Sequence, residues 1–162
     1  VRGQELLFDT LSRAMEAKGP HDPGLMVLAK AFFDFSLSHP EFFVMIMTYE
    51  SRIHPYRGDG PVESADSARA RCRELSNRYG ALVIRAIEDD TRSGYIRTSL
   101  EPLQLMLLLW GQVFGVMQII LMRERGFLET YGISPDALFV EFLSMLEKGL
   151  GNGGGFKTQK RR

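Results

Sequence analysis

Apolar residues recur every three or four positions along most of this chain, and that spacing predicts helices rather than strands. From Gln4 to Lys18, Leu6, Leu7, Leu11, Ala14 and Met15 share one face, and Gly19-Pro20 stops the run. Asp22-Pro23 offers a capping residue and a first-turn proline for a second helix reaching about Ser38. Its apolar side, Leu25, Leu28, Ala29, Phe32, Phe33 and Phe35, is largely aromatic. Ser38-His39-Pro40-Glu41 has the spacing of a capping box, in which hydroxyl and carboxylate each satisfy a backbone N–H, so a short third helix is expected to about Tyr49.

The period breaks between Arg52 and Glu63, where Gly58-Asp59-Gly60-Pro61 reads as loop. It resumes over Ala65, Ala68, Cys72, Leu75, Tyr79, Leu82, Val83, Ala86 and Ile87, the long fourth helix, which closes in Glu88-Asp89-Asp90. Tyr95-Ile96-Arg97 is too short to found a sheet. Leu103 to Met122 then runs twenty residues without a charge, broken only by Gln104, Gln112, Gln118 and the small Gly111 and Gly115. Ser134-Pro135-Asp136 starts the last helix, with Leu138, Phe139, Phe142, Leu143, Leu146 and Leu150 on its apolar face. The fold class predicted is all-α, a six-helix bundle over residues 1–150. The Gly-rich basic tail, 151–162, has no apolar period and is expected to be disordered.

Composition narrows the function classes. The chain has 162 residues, 44% hydrophobic and 25% charged, enough for one core. Twenty basic residues balance twenty acidic ones, so no bulk charge points to nucleic acid. The lone Cys72 cannot close a disulfide within the chain, and no signal-peptide pattern opens the sequence; both fit the cytoplasm.

The chemistry on offer is thin. His21, His39 and His54 stand at three separate loops or helix ends, and no Cys/His set has metal-ligand spacing. Nucleophile-elbow, phosphate-loop and dinucleotide patterns are missing, so the reading assigns no catalytic residue, no metal and no cofactor. Glu88-Asp89-Asp90 reads as a solvated helix end, and the arginines of the fourth helix, mixed with Glu74, as a solvated face. Gly111-x-x-x-Gly115 inside an apolar twenty-mer is also the pattern of a dimerising membrane helix. Three glutamines, flanks without a marked basic asymmetry and five amphipathic helices that need an apolar surface to cover favour a soluble protein without a membrane partner. An all-round apolar helix then packs one face in its own domain and another against a partner, with Gly111 and Gly115 allowing close approach.

Some segments are familiar. Ala31-Phe32-Phe33-Asp34-Phe35 through His39-Pro40-Glu41-Phe42-Phe43, then Gly94-Tyr95-Ile96-Arg97 and Leu109-Trp110-Gly111 with Gly115, resemble the C-terminal domain of TetR-type transcriptional regulators. Glu5-Leu6-Leu7-Phe8 is similar to the segment that follows the DNA-reading module in that family, and the resemblance spans about residues 4–150. It implies a helical effector-binding domain that pairs as a homodimer through its last two long helices, here Leu103–Arg123 and Pro135–Gly149. Gly111, Gly115, Gln118, Met122, Phe139, Phe142 and Leu146 are the interface residues it suggests. It also implies that an effector bound between helices shifts the first helix and alters the spacing of two DNA-binding modules. The chain starts where such a module should already have ended, so contact with operator DNA would need a helix-turn-helix that these residues do not include.

Large aromatics and adaptable methionines on facing helices leave gaps in which apolar ligands commonly sit. Phe33, Met45, Tyr49, Tyr79, Trp110, Phe114 and Met117 are accordingly the candidate ligand-binding residues, for a hydrophobic or aromatic small molecule. Arg52 and His54 are candidates to pair with an acidic group on it. The alternative is a structural or adaptor dimer whose aromatics fill the core with no ligand.

Overall fold

A computed structural model describes residues 1–52, 67–122 and 126–151, and among these it contains helices and no strand. Seven helices follow one another: α1 (Arg2–Ala17), α2 (Gly24–Ser38), α3 (Pro40–Arg52), α4 (Ala68–Arg92), α5 (Pro102–Met122), α6 (Phe127–Tyr131) and α7 (Pro135–Gly151). The expected loop and tail fall outside the described residues, except that Arg52 closes α3 and Gly151 closes α7. The one helix not anticipated is α6, a single turn ended by Gly132. That glycine adopts the left-handed conformation (φ 69°) that side chains disfavour, and its N–H bonds the Leu128 carbonyl at 2.7 Å.

Helix starts follow local chemistry. The Ser134 hydroxyl accepts the N–H of Ala137 at 3.1 Å, as the sequence implies, and Ser67 does the same for Ala70 at 3.0 Å. Two joints differ from expectation. Pro23 occupies the N-cap of α2, while the Asp22 carboxylate accepts the Gly19 N–H at 2.8 Å and closes the turn after α1. Ser38 lies inside α2, so the capping-box geometry does not arise there. His39 alone is the joint, its N–H bonded to Phe35 O (2.9 Å) and its carbonyl receiving the Phe43 N–H (3.0 Å).

The chain divides into two compact units at Arg85 and Ala86, within α4. In the first, α1 packs on α2 and α3, and α2 on α3. Its buried residues are mostly large: Leu7, Leu11, Leu25, Leu28, Phe32, Phe33, Phe35, Phe43, Ile46, Leu75 and Tyr79. Phe32 meets Phe43 edge-on with ring centres 5.9 Å apart. A Cβ on Gly3 would lie 3.1 Å from the Phe42 ring, so the approach of α1 to α3 depends on that glycine.

In the second unit Ala86, Ile87, Ile96, Leu105, Leu109, Phe114, Met117, Ile120, Phe127, Phe139 and Leu150 are buried. The Tyr95-Ile96-Arg97 connection is pinned at both ends: Ile96 N–H donates to Asp90 O (3.0 Å) and Arg97 N–H to Leu150 O (2.8 Å), which ties it to the last turn of α7. Asp90 itself is buried, contrary to the solvated end expected of Glu88-Asp89-Asp90. It falls three and four residues after Ile87 and Ala86, on the buried stripe of α4, while Asp89 faces water and pairs with Arg92 at 2.8 Å.

Candidate functional site

The seven residues assigned to an effector pocket are spread over both units. Phe33, Met45, Tyr49 and Tyr79 belong to the first, Trp110, Phe114 and Met117 to the second. Phe33, Tyr79, Phe114 and Met117 are buried, whereas Met45 is 64% exposed on α3 beside Val44, which is also exposed. Trp110 and Phe114, one turn apart on α5, have ring centres 4.5 Å apart. Both tyrosine hydroxyls bond within the first unit: Tyr49 to Arg69 O (3.0 Å) and Tyr79 to Ser76 Oγ (2.8 Å). His54 lies outside the described residues, as does the side chain of Arg52.

The residues assigned to a dimer interface sort by helix. Gly111, Gly115 and Gln118 are exposed on α5, and a Cβ built on either glycine would meet nothing within 4 Å. They lie on a face with Leu103, Leu107 (59% exposed), Leu108 and Ile119, all more than half open to solvent. On α7, Phe142 and Leu146 are half-buried and Val140 and Met145 (71%) point outward, but Phe139 is only 3% exposed and packs near Phe142 with ring centres 5.9 Å apart. The Met122 side chain is outside the described residues. Pro102–Leu121 is long and apolar enough to cross a membrane by length and composition, a property that core helices of soluble proteins share.

A concave site that periodicity did not reveal runs between α1 and α4, wholly within the first unit. It is a half-open groove of about 440 Å³. Phe8, Ala70 and Leu75 supply its apolar wall, and its charges are Glu5, Asp9 and Glu74 against Arg71 and Arg78. Arg71 bonds Glu5 at 2.5 Å, and the Arg78 guanidinium sits 4.1 Å over the Phe8 ring, a cation–π contact. Two arginines read as a solvated face therefore also fasten α4 to α1. Gln4 is 3% exposed; its Nε2 donates to Ser76 Oγ at 3.1 Å, while its Oε1 has no hydrogen-bond donor among the described residues. The spacing of Glu5 with Phe8 and of Arg71 with Arg78 puts each pair on one face of its helix. Nothing local to either segment says that the two faces meet.

In the second unit the Tyr95 hydroxyl donates to the Glu147 carboxylate. Burial pushes the phenol well above the ordinary tyrosine value of 10.0, and the Glu147 hydrogen bond and the charges of Glu147 and Asp90 push it further. Among the described residues no group of three or more His, Cys, Asp or Glu side chains could hold a metal ion.

No protein-family model and no curated protein matches this chain. A solved structure from Rhodococcus sp. RHA1, described as a protein with unknown function, is similar to it with a TM-score of 0.69 and 18% sequence identity, over 93% of this chain and 68% of that one. At that identity the likeness shows the fold alone.

Proposed function

We propose that this chain is the effector-sensing and dimerisation domain of a TetR-type transcriptional regulator, working in the cytoplasm as a homodimer. The observation that carries the reading is the outward apolar face of α5 and α7. Leu103, Leu107, Leu108 and Ile119 stand open to water on α5 with the exposed Gly111 and Gly115, and Val140 and Met145 stand open on α7. A leucine moved from water to full burial contributes roughly 1.5–3 kcal/mol, so a surface of this kind favours association strongly. Two such helices from each of two copies make a four-helix bundle, and the glycines let the backbones approach.

The effector is a hydrophobic or aromatic small molecule. The contacts that tie α1 to α4 suit a domain whose first helix shifts on binding. The Glu5–Arg71 pair is exposed on both sides (39% and 65%) and worth about 0–1 kcal/mol, and the Arg78–Phe8 contact is of similar size. A ligand with modestly different affinity for two positions of α1 can move that equilibrium. The burial of Phe33, Tyr79, Phe114 and Met117 favours a second reading, a structural dimer in which these side chains only fill the interior.

Light scattering and thermal shift test both. A particle of twice 18.4 kDa, stabilised by some members of a panel of apolar and aromatic compounds, supports the sensor. A dimer indifferent to all of them supports the structural reading, and a monomer defeats both. A coding sequence with no helix-turn-helix module upstream of Val1 defeats the regulator reading whatever the mass.

A further inference from the structure

We propose that residues 93–97 are a strap that joins the ends of α4 and α7 into one opening unit, with the Tyr95 hydroxyl on Glu147 as its latch. Every residue involved belongs to the second unit, and the proposal is independent of the regulator reading.

A helix ends with carbonyls that its own N–H groups cannot reach. After α4 the chain turns at Gly94 (φ 82°), and the Ile96 N–H takes the Asp90 carbonyl at 3.0 Å. The next N–H, that of Arg97, takes the Leu150 carbonyl in the last turn of α7 at 2.8 Å. Consecutive amides therefore cap two helices that are distant in sequence. Tyr95 adds its bond to Glu147, one turn before Leu150 on the same face of α7. Ile96 lies between these contacts with its side chain 1% exposed, so lifting the strap frees both carbonyls and uncovers a core residue in one step. The last turn of α7 has little stability of its own, since Gly149 and Gly151 are poor helix formers. Loosening at the end of either helix is then felt at the other.

The test is amide hydrogen exchange, read residue by residue by NMR, in variants that act from opposite ends of the strap. Gly94→Ala puts a side chain at a left-handed position where its Cβ meets nothing within 4 Å, so it strains the turn without touching α7. Exchange at residues 148–151 should nevertheless quicken roughly five-fold, the scale of one lost hydrogen bond. Glu147→Ala removes the latch from an exposed site on α7 and brings in a better helix former, so α7 itself is not weakened. Exchange at Ile96 and Arg97 should quicken by a similar factor. Amides of α2 are the control and should keep their rates, and circular dichroism checks that both variants keep their helix content. A response confined to the mutated side of the strap in either variant, or one spread equally through α2, would overturn the proposal.

Discussion

The two units handle apolar surface in opposite ways. In the first, α2 carries Leu25, Leu28, Phe32, Phe33 and Phe35, all buried, and apart from Val1 the large apolar side chains described as exposed there are Val44 and Met45. In the second, α5 is the more apolar helix and yet buries one edge, Leu105, Leu109, Phe114, Met117 and Ile120, while Leu103, Leu107, Leu108 and Ile119 face water. Leu128 and Tyr131 of α6, Ile133 in the link after it, and Val140 and Met145 of α7 are exposed as well. A helix with an apolar second face leaves that face uncovered in the single chain, and large uncovered apolar faces commonly mark interaction sites.

The sharpest way to break that contrast is to charge one unit at a time. Leu107→Glu with Leu108→Glu places two carboxylates on the outward face of α5. Neither position is buried in the single chain, so helix content should hold, while a buried unpaired charge costs several kcal/mol at an interface. The solution mass should fall to 18.4 kDa. Met45→Glu, the matched change on the first unit, should leave the mass alone. If it dissociates the dimer and the α5 pair does not, the interface has been given to the wrong unit.

Gly115→Leu separates folding from association at a single position. A Cβ there meets nothing within 4 Å, so the isolated chain has room for the side chain. A close helix contact between two copies does not, and overpacking of that kind costs about 1–3 kcal/mol. The expected result is a dissociation constant raised roughly ten-fold or more with unchanged helix content, read by sedimentation across a dilution series. Equal dimerisation of both proteins would move the contact off that face.

A smaller effect sharpens the second unit alone. The Tyr95 phenol is held neutral in the fold by burial and by its bond to Glu147, and its value is raised. The unfolded chain therefore loses this proton first. The stability contributed is complete below the ordinary value of 10.0 and is lost as pH rises through the folded value. Alkaline melting above about pH 10 should be shallower in Tyr95→Phe, at a cost near neutral pH of about 1 kcal/mol from the missing hydrogen bond. Identical pH slopes in the two proteins would show that other groups govern alkaline unfolding.

The parts legible in the sequence are those encoded within a few residues. The charge-free run from Leu103 marks α5 to within a residue of its start, and Ser134 marks the start of α7 through its own hydroxyl. The five residues of α6 complete barely one turn, too little for a period to register. Ser38-x-x-Glu41 satisfies a local rule, yet Ser38 is itself the last residue of α2 and His39 is the joint before α3. Asp90 looked solvated as one of three acids, although its phase relative to Ala86 and Ile87 was already available. Long-range placement was not: Glu5 and Arg71 stand 66 positions apart, and their meeting depends on how α1 lies on α4. The groove was missed for the same reason.

That pair gives the smallest effect, and it bears on how firmly α1 is held. Glu5 and Arg71 are in contact at 2.5 Å, but their side chains are 39% and 65% exposed, and screening and lost side-chain freedom offset most of the attraction. Glu5→Gln keeps the shape and removes the charge, so thermal stability should fall by less than about 1 kcal/mol in low salt and by nothing measurable at 1 M salt. Amide exchange in the first turns of α1 should quicken more than exchange in α2, since the change loosens one helix against its neighbour and leaves the aromatic packing of the unit intact. A loss of several kcal/mol, or one independent of salt, would mean that the seam is rigid. The low-cost shift of α1 on which the sensor reading depends would then be lost, while the apolar face of α5 and the case for a dimer would stand.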